Sequence, residues 1–264
     1  MTSRDAPHAA GPAPAGPAAP SAERYSRQTA IPEVGPDGQA RIGAARVLVA
    51  GLGGLGCPAA LYLAAAGVGG LTLVDPGRVE ESNLHRQILY GAADVGAGKA
   101  ARARDRLALL RPDLAVAALP VALTPDTARE LVPGHDAVVD GLDSDEARAI
   151  LARACMEAGV PLVHGGIRRL EGLAILLAQG GPCLLCLLPG PDEAAEPSPL
   201  GVLGPVPGVI GALQAALALR WILWRPRGPQ PLHVFDAGHG RMLEVATAVR
   251  PGCAGCGGHG VPPS

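Results

Sequence analysis

Arg46-Val47-Leu48-Val49-Ala50-Gly51-Leu52-Gly53-Gly54-Leu55-Gly56 is the stretch on which the fold turns. Its first half is a short apolar run with β-branched residues, the pattern of a buried strand. Its second half is a glycine-rich turn. Pro58 to Ala66 then reads as a helix, opened by proline near its first turn. Leu71-Thr72-Leu73-Val74-Asp75 is a second strand that ends on a carboxylate. Strand, glycine turn, helix, strand and acid make one βαβ unit.

The alternation continues along the chain. A helix is expected over Lys99 to Leu110 and a strand over Ala115 to Leu119. A short helix, Asp126 to Leu131, precedes a buried strand, Ala137 to Asp140. Ala147 to Ala158 is helical and Pro161 to Val163 is a strand. Such a rhythm predicts an α/β fold with a Rossmann-like, mostly parallel sheet covered by helices on both faces. After Gly172 the rhythm changes. Leu173 to Leu177 is strand-like, Pro189 to Pro199 is a Pro/Gly/Glu-rich loop, and Val206 to Trp224 is apolar. Leu232 to Asp236 and Met242 to Ala246 look like paired strands, so the sheet continues into antiparallel strands. Gln214 and Arg220 interrupt the apolar segment, which therefore reads as a core helix and not a membrane span.

The totals bound the function. A chain of 264 residues can bury a full core, and with 2% aromatics that core must be built from Ala, Leu, Val and Ile. A net charge of -2, with no basic stripe, gives no case for nucleic acid. Residues 1–22 are Ala/Pro/Gly-rich and lack a basic start and an apolar run, so they read as a disordered tail, not a signal peptide. One domain over 23–258 and a flexible end over 259–264 complete the expected organisation. A soluble, cytoplasmic protein is expected.

Lys99 is the only lysine among 22 Lys and Arg residues, and Asn83 is the only asparagine. Where arginine serves nearly every other positive charge, a retained lysine marks a place for a compact charge on a flexible stem. Both residues lie beyond the glycine loop, with Ser82 directly before Asn83 and Arg86 between Asn83 and Lys99. The loop glycines Gly51, Gly53, Gly54 and Gly56 allow a tight turn with backbone N–H groups facing a phosphate. Asp75 sits where such folds bind ribose hydroxyls. A dinucleotide enzyme needs that much and no more. Arg86, Lys99 and Asn83 fit a triphosphate, through charge neutralisation and a polar amide. A solvated surface turn is the other reading of Arg86. Asp143, just past the strand ending at Asp140, can hold magnesium against phosphates or can cap the following helix. Asp145 and Glu146 read as that helix's acidic first turn.

Four of the six cysteines form two CxxC pairs, Cys183/Cys186 and Cys253/Cys256. Four thiolates suit a closed tetrahedral structural zinc site, with two redox pairs as the rival. Cys57 and Cys155 read as small buried residues. His135, His164 and His233 share no spacing and receive no role.

Taken together the chain resembles the ThiF/MoeB/HesA family, bacterial relatives of ubiquitin-activating enzymes. The resemblance rests on Arg24 to Gln28, Gly51 to Cys57, Asp75, Ser82 to Gln87, Gly98-Lys99, Asp140 to Asp143, Glu171-Gly172, Gly201 to Pro205 and both CxxC pairs. It implies a homodimer that binds ATP and magnesium and adenylates the terminal Gly-Gly carboxylate of a ubiquitin-like sulfur carrier. By the same resemblance, Gly54 approaches the nucleotide and Asp75 binds its ribose. Asn83, Arg86 and Lys99 handle phosphates, Asp143 places magnesium, and Arg27 reaches the opposite subunit's ATP.

Two departures stand out. Pro197 occupies the place where many members carry a loop cysteine, so adenylation without a loop thioester is expected. Ser144 follows Asp143 where relatives often have Asn, weakening a secondary polar contact with the nucleotide. No rhodanese extension is seen, so a separate sulfurtransferase is expected to supply sulfur. Activation of a carrier or peptide in a specialised pathway, a nicotinamide dehydrogenase and a non-catalytic carrier-binding scaffold are the alternatives.

Overall fold

The computed structural model describes residues 22–187 and 201–261. The expected N-terminal tail and the Pro197 segment lie outside the described residues. Two short helices, α1 (Ser26–Thr29) and α2 (Gly35–Ala44), lead into β1 (Arg46–Ala50). There follow α3 (Gly56–Ala66), β2 (Gly70–Val74), α4 (Lys99–Leu110), β3 (Ala115–Leu119), α5 (Pro125–Leu131) and β4 (Ala137–Asp140). Next come α6 (Asp145–Ala158), β5 (Leu162–Arg168), β6 (Glu171–Leu177), the single turn α7 (Leu184–Leu187) and α8 (Pro205–Trp224). The last strands are β7 (Leu232–Asp236) and β8 (Arg241–Val245).

The strands form one eight-stranded sheet in the order β3-β2-β1-β4-β5-β6-β7-β8. Pairing is parallel from β3 to β5 and antiparallel from β5 to β8. The expected α/β architecture is therefore present, with β5 and β6 longer than their apolar cores. Alternation along β1 sends Val47 and Val49 to one face and Leu48 and Ala50 to the other. Helices α2, α3, α4 and α8 supply apolar partners on the first face, where Leu63, Leu107 and Ile210 are fully buried. On the second face Leu151 of α6 and Ala128 of α5 pack against Leu48 and Val138. Both faces are covered, which is why the parallel strands read as continuous apolar runs.

Among the described residues α8 alone is long and apolar enough to cross a bilayer. It instead packs against α3, β5 and β6, with Ile210, Gln214 and Ala218 wholly buried. Its contact with α3 is close because Gly211 lacks a side chain: a Cβ there would overlap the Leu55 carbonyl oxygen. Residues 259–261, expected within a flexible end, continue the packing. Val261 is buried and exchanges backbone bonds of 2.9 Å with Gly180 and Gly181.

Since α8 reaches the glycine turn through that contact, Gly211→Leu is expected to destabilise the fold by about 2–3 kcal/mol. A urea unfolding midpoint matching wild type would refute this packing.

Candidate active site

The sheet order reverses between β1 and β4, the place where open α/β sheets bind ligands beyond the strands' carboxyl ends. A cleft of about 900 Å³ lies there. Gly51, Gly53 and Gly54 line it, while Gly56 stands behind them, packed on the Gly51 carbonyl. Gly51 has φ +86°, a left-handed conformation that only glycine adopts without strain. The turn delivers the N-terminus of α3 to the cleft, a natural place for anions.

Asp75 follows β2 and is buried. Its Oδ2 accepts from Leu52 N–H and its Oδ1 from Gly77 N–H, both at 2.7 Å. The carboxylate is thus held rigidly, with its remaining lone pairs toward the cleft it lines. Lys99 opens α4 and its Nζ stands close to Gly77: a Cβ built on that glycine would lie 3.5 Å from Nζ. Arg86 lines the same cleft, its Nη1 donating to the Ser82 carbonyl at 2.8 Å.

Asn83 and Ser82 are placed differently. Neither lines the cleft. Asn83 is buried, its Oδ1 accepting from Glu80 N–H at 3.2 Å, and its Nδ2 lies 3.4 Å from Ser82 Oγ. Ser82 Oγ in turn donates to Glu80 Oε2 at 3.3 Å. Both shape the turn that carries Arg86. Asp143 is exposed at the cleft, and its capping alternative falls away, because Ser144 is the N-cap of α6 and accepts from Ala147 N–H at 3.4 Å. Ser144 also lines the cleft. Arg27, exposed on α1, lies outside its own chain's cleft.

Several cleft features were not read from the sequence. Gln87 is buried and lines the cleft, and its Oε1 has no hydrogen-bond partner among the described residues. Its place directly after Arg86 was the only signal. Val121 to Pro125 form the wall beyond β3. Behind Asp143, the buried Asp140 accepts from Leu142 N–H at 3.0 Å and meets His164 Nδ1 at 2.7 Å. No spacing in the sequence marks that pair, because β5 brings His164 beside β4. Cys57, under the glycine turn, is a buried thiol pushed up to about 12 by burial, and it donates to the Leu52 carbonyl. It is a packing residue.

The four paired cysteines converge. All four Sγ atoms lie within 4.8 Å of one another. Cys183 is 3.7 Å from Cys186 and 3.6 Å from Cys253, and Cys186 is 3.6 Å from Cys256. Tetrahedral zinc with bonds of about 2.3 Å separates its sulfurs by about 3.8 Å. The thiols can hold such an ion. Burial pushes the Cys183 thiol up to about 12. At Cys253 burial is outweighed by backbone N–H groups of Cys256 and Gly255, which bring the thiol down to about 6. An anchored thiolate is therefore available to start metal capture near neutral pH.

Fold and site together define a nucleotide-binding α/β domain with a four-cysteine clip. A family model described as the ThiF family matches residues 25–258, and the chain belongs to that family. It is 41% identical to the SAMP-activating enzyme E1 of Haloferax volcanii, covering 90% of each chain. It is also 41% identical to a sulfur carrier protein adenylyltransferase of Thermus thermophilus, covering 89% of this chain and 90% of that one. The mouse adenylyltransferase and sulfurtransferase MOCS3 is 44% identical over 89% of this chain, which spans about half (52%) of the mouse protein's length. Among solved structures, E. coli MccB with ATP superposes with TM-score 0.76 at 23% identity, over 90% of this chain and 75% of that one, a likeness of fold.

Purified protein is expected to carry about one zinc per chain. Cys253→Ser should lose it and cost more than about 2 kcal/mol of stability. Because protons compete for the thiolates, zinc affinity should fall as pH is lowered. Metal analysis and unfolding curves check this; a metal-free, equally stable wild type is the contrary result.

Proposed function

We propose that the chain uses ATP to adenylate the C-terminal Gly-Gly carboxylate of a ubiquitin-like sulfur-carrier protein, releasing pyrophosphate. The observation that carries this reading is the convergence of Arg86, Lys99 and Asp143 on one cleft floored by Gly51, Gly53 and Gly54. Relatives of matching length, named as a sulfur carrier protein adenylyltransferase and an activating enzyme, support it.

The carrier's terminal carboxylate is already ionised at neutral pH, so no base is required. One of its oxygens forms a bond to the α-phosphorus of ATP. The bond from that phosphorus to the bridging oxygen breaks, and pyrophosphate leaves with the electron pair. Asp75 holds the ribose and the α3 N-terminus faces the phosphates. Lys99 and Arg86 offset charge that builds as pyrophosphate departs. Asp143 is exposed at the cleft with no ion-pair or hydrogen-bond partner among the described residues, which suits a magnesium ligand. Magnesium bound there would neutralise phosphate charge.

Arg27, outside its own cleft, would act in the cleft of a second subunit, so the working unit is a homodimer. Cys183 and Cys186 stay with the zinc clip and Pro197 offers no thiol, so the adenylate passes to a separate sulfurtransferase without a loop thioester. The six cysteines form no disulfide among the described residues, and we place the enzyme in the cytoplasm.

Lys99→Ala should cut ATP–pyrophosphate exchange at least about 100-fold with an unchanged melting curve; undiminished exchange would refute the assignment. Arg27→Ala should be equally inactive alone. Mixed in equal amounts and allowed to exchange subunits, the two variants should regain about a quarter of wild-type activity, because half the dimers then hold one intact site. No regain would place Arg27 in its own cleft or the enzyme in another assembly.

A further inference from the structure

Five cations line the cleft, and three of them are accounted for. Arg86 is tied to the Ser82 carbonyl, Arg148 donates to the Leu142 carbonyl and to Asp145, and Lys99 stands by Asp75. The other two, Arg168 and Arg169, are exposed at the β5–β6 hairpin. Neither guanidinium has an ion-pair or hydrogen-bond partner among the described residues.

The hairpin itself is unusual. Arg168 pairs with Glu171, which leaves Arg169 and Leu170 as a two-residue turn. Arg169 has φ +57°, at the first turn position, where such hairpins favour glycine. A residue with a Cβ is strained there, and a strained side chain at a cleft mouth points to a function that needs it. The tip is also tied to the far wall: Leu203 N–H donates to the Arg169 carbonyl at 3.2 Å, and Gly201 and Val202 line the cleft beside it.

Position along the sheet says which substrate these arginines meet. Asp75 follows β2 and Arg169 follows β5, three strand spacings away, or about 14 Å. Nucleoside at Asp75 and phosphates at the glycine turn leave the β5 end for the second substrate. The exposure of both arginines places them upstream of the reacting carboxylate, which must reach the phosphates deeper in the cleft.

We propose that Arg168 and Arg169 form a specificity element that binds an acidic side chain of the incoming carrier, a few residues before its Gly-Gly end. The proposal rests on the adenylation reading. It assigns to an exposed charge pair a modest share of affinity and a larger share of partner choice.

The test uses ATP–pyrophosphate exchange with a ubiquitin-like carrier ending in Gly-Gly that wild type activates. Versions of that carrier bear a single Glu, Gln or Lys at each of the third to sixth positions from its end. At one of these positions wild type should prefer Glu to Lys in carrier KM. Arg169→Gly should raise the KM for the Glu version about fivefold, leave the Gln version and the ATP KM unchanged, and not lower the melting temperature. Arg169→Glu should reverse the preference, so that the Lys version becomes the better substrate. Equal effects on all versions at every position, or a rise in ATP KM alone, would overturn the proposal while leaving adenylation intact. Absence of exchange with every Gly-Gly carrier would overturn the adenylation reading and this element with it.

Discussion

The site depends on one backbone-to-backbone approach. At the end of β1 the Gly51 carbonyl lies against Gly56, and the same oxygen would be 2.7 Å from a Cβ on Gly141 at the end of β4. No side chain fits at any of the three positions. The contact sets β1 and β4 close enough for Gly141 N–H to bond the Ala50 carbonyl at 2.8 Å, while Gly51 N–H bonds Val74. It therefore joins three strand ends and the start of α3 in one rigid corner. The helix N-terminus, the Asp75 carboxylate and the loop to Asp143 all leave from that corner.

A buried polar layer underneath carries the constraint outward. Gln214, in the middle of apolar α8, donates from Nε2 to the Asp140 carbonyl at 2.7 Å and to the Val163 carbonyl at 3.1 Å. Asp140 then holds Leu142 N–H, and Arg148 holds the Leu142 carbonyl at 2.7 Å. Both backbone polar groups of Leu142, the residue before Asp143, are thus occupied, which limits where that carboxylate can stand. Gln214 Oε1 and Arg148 Nε have no partner among the described residues, so the layer orients these groups without satisfying every polar atom in it. The same glutamine explains Gly165: a Cβ there would come within 2.6 Å of its amide.

Much of this was legible in the sequence, and the exceptions have a common cause. Strands β1, β2, β3, β4 and β7 and the helices α3, α4, α6 and α8 follow from local periodicity and punctuation, which short-range physics controls. That Gly51, Gly53, Gly54, Asp75, Arg86, Lys99 and Asp143 share one cleft was legible because they lie on the segments that follow the strand ends. The four cysteines were found because metal chemistry imposes a spacing. Asn83 lies off the cleft lining with its amide oxygen engaged in the Glu80 turn, a placement that its rarity in the sequence does not indicate. Gln87, His164 and Gln214 were missed because their meaning arises only from tertiary neighbours that no periodicity encodes. No motif in the sequence singles out Arg168 and Arg169; only the register of the β5–β6 pair places Arg169 at a positive-φ turn.

The single lysine is the residue whose placement local physics would least favour. Lys99 is the first residue of α4, and no acidic residue occupies that helix's first turn. A helix N-terminus carries a partial positive charge, so a cation there is disfavoured and a carboxylate would be stabilising. The same is true of the site as a whole, where five cations face three acids across one cleft. An excess of positive charge in one cleft favours an anionic ligand there. In the adenylation we propose, a compact ammonium on a flexible stem would follow the phosphates as charge moves onto the leaving pyrophosphate, which a planar guanidinium fork does less well. On that reading the difference explains a lysine at this position in a chain whose other Lys and Arg positions are all arginine.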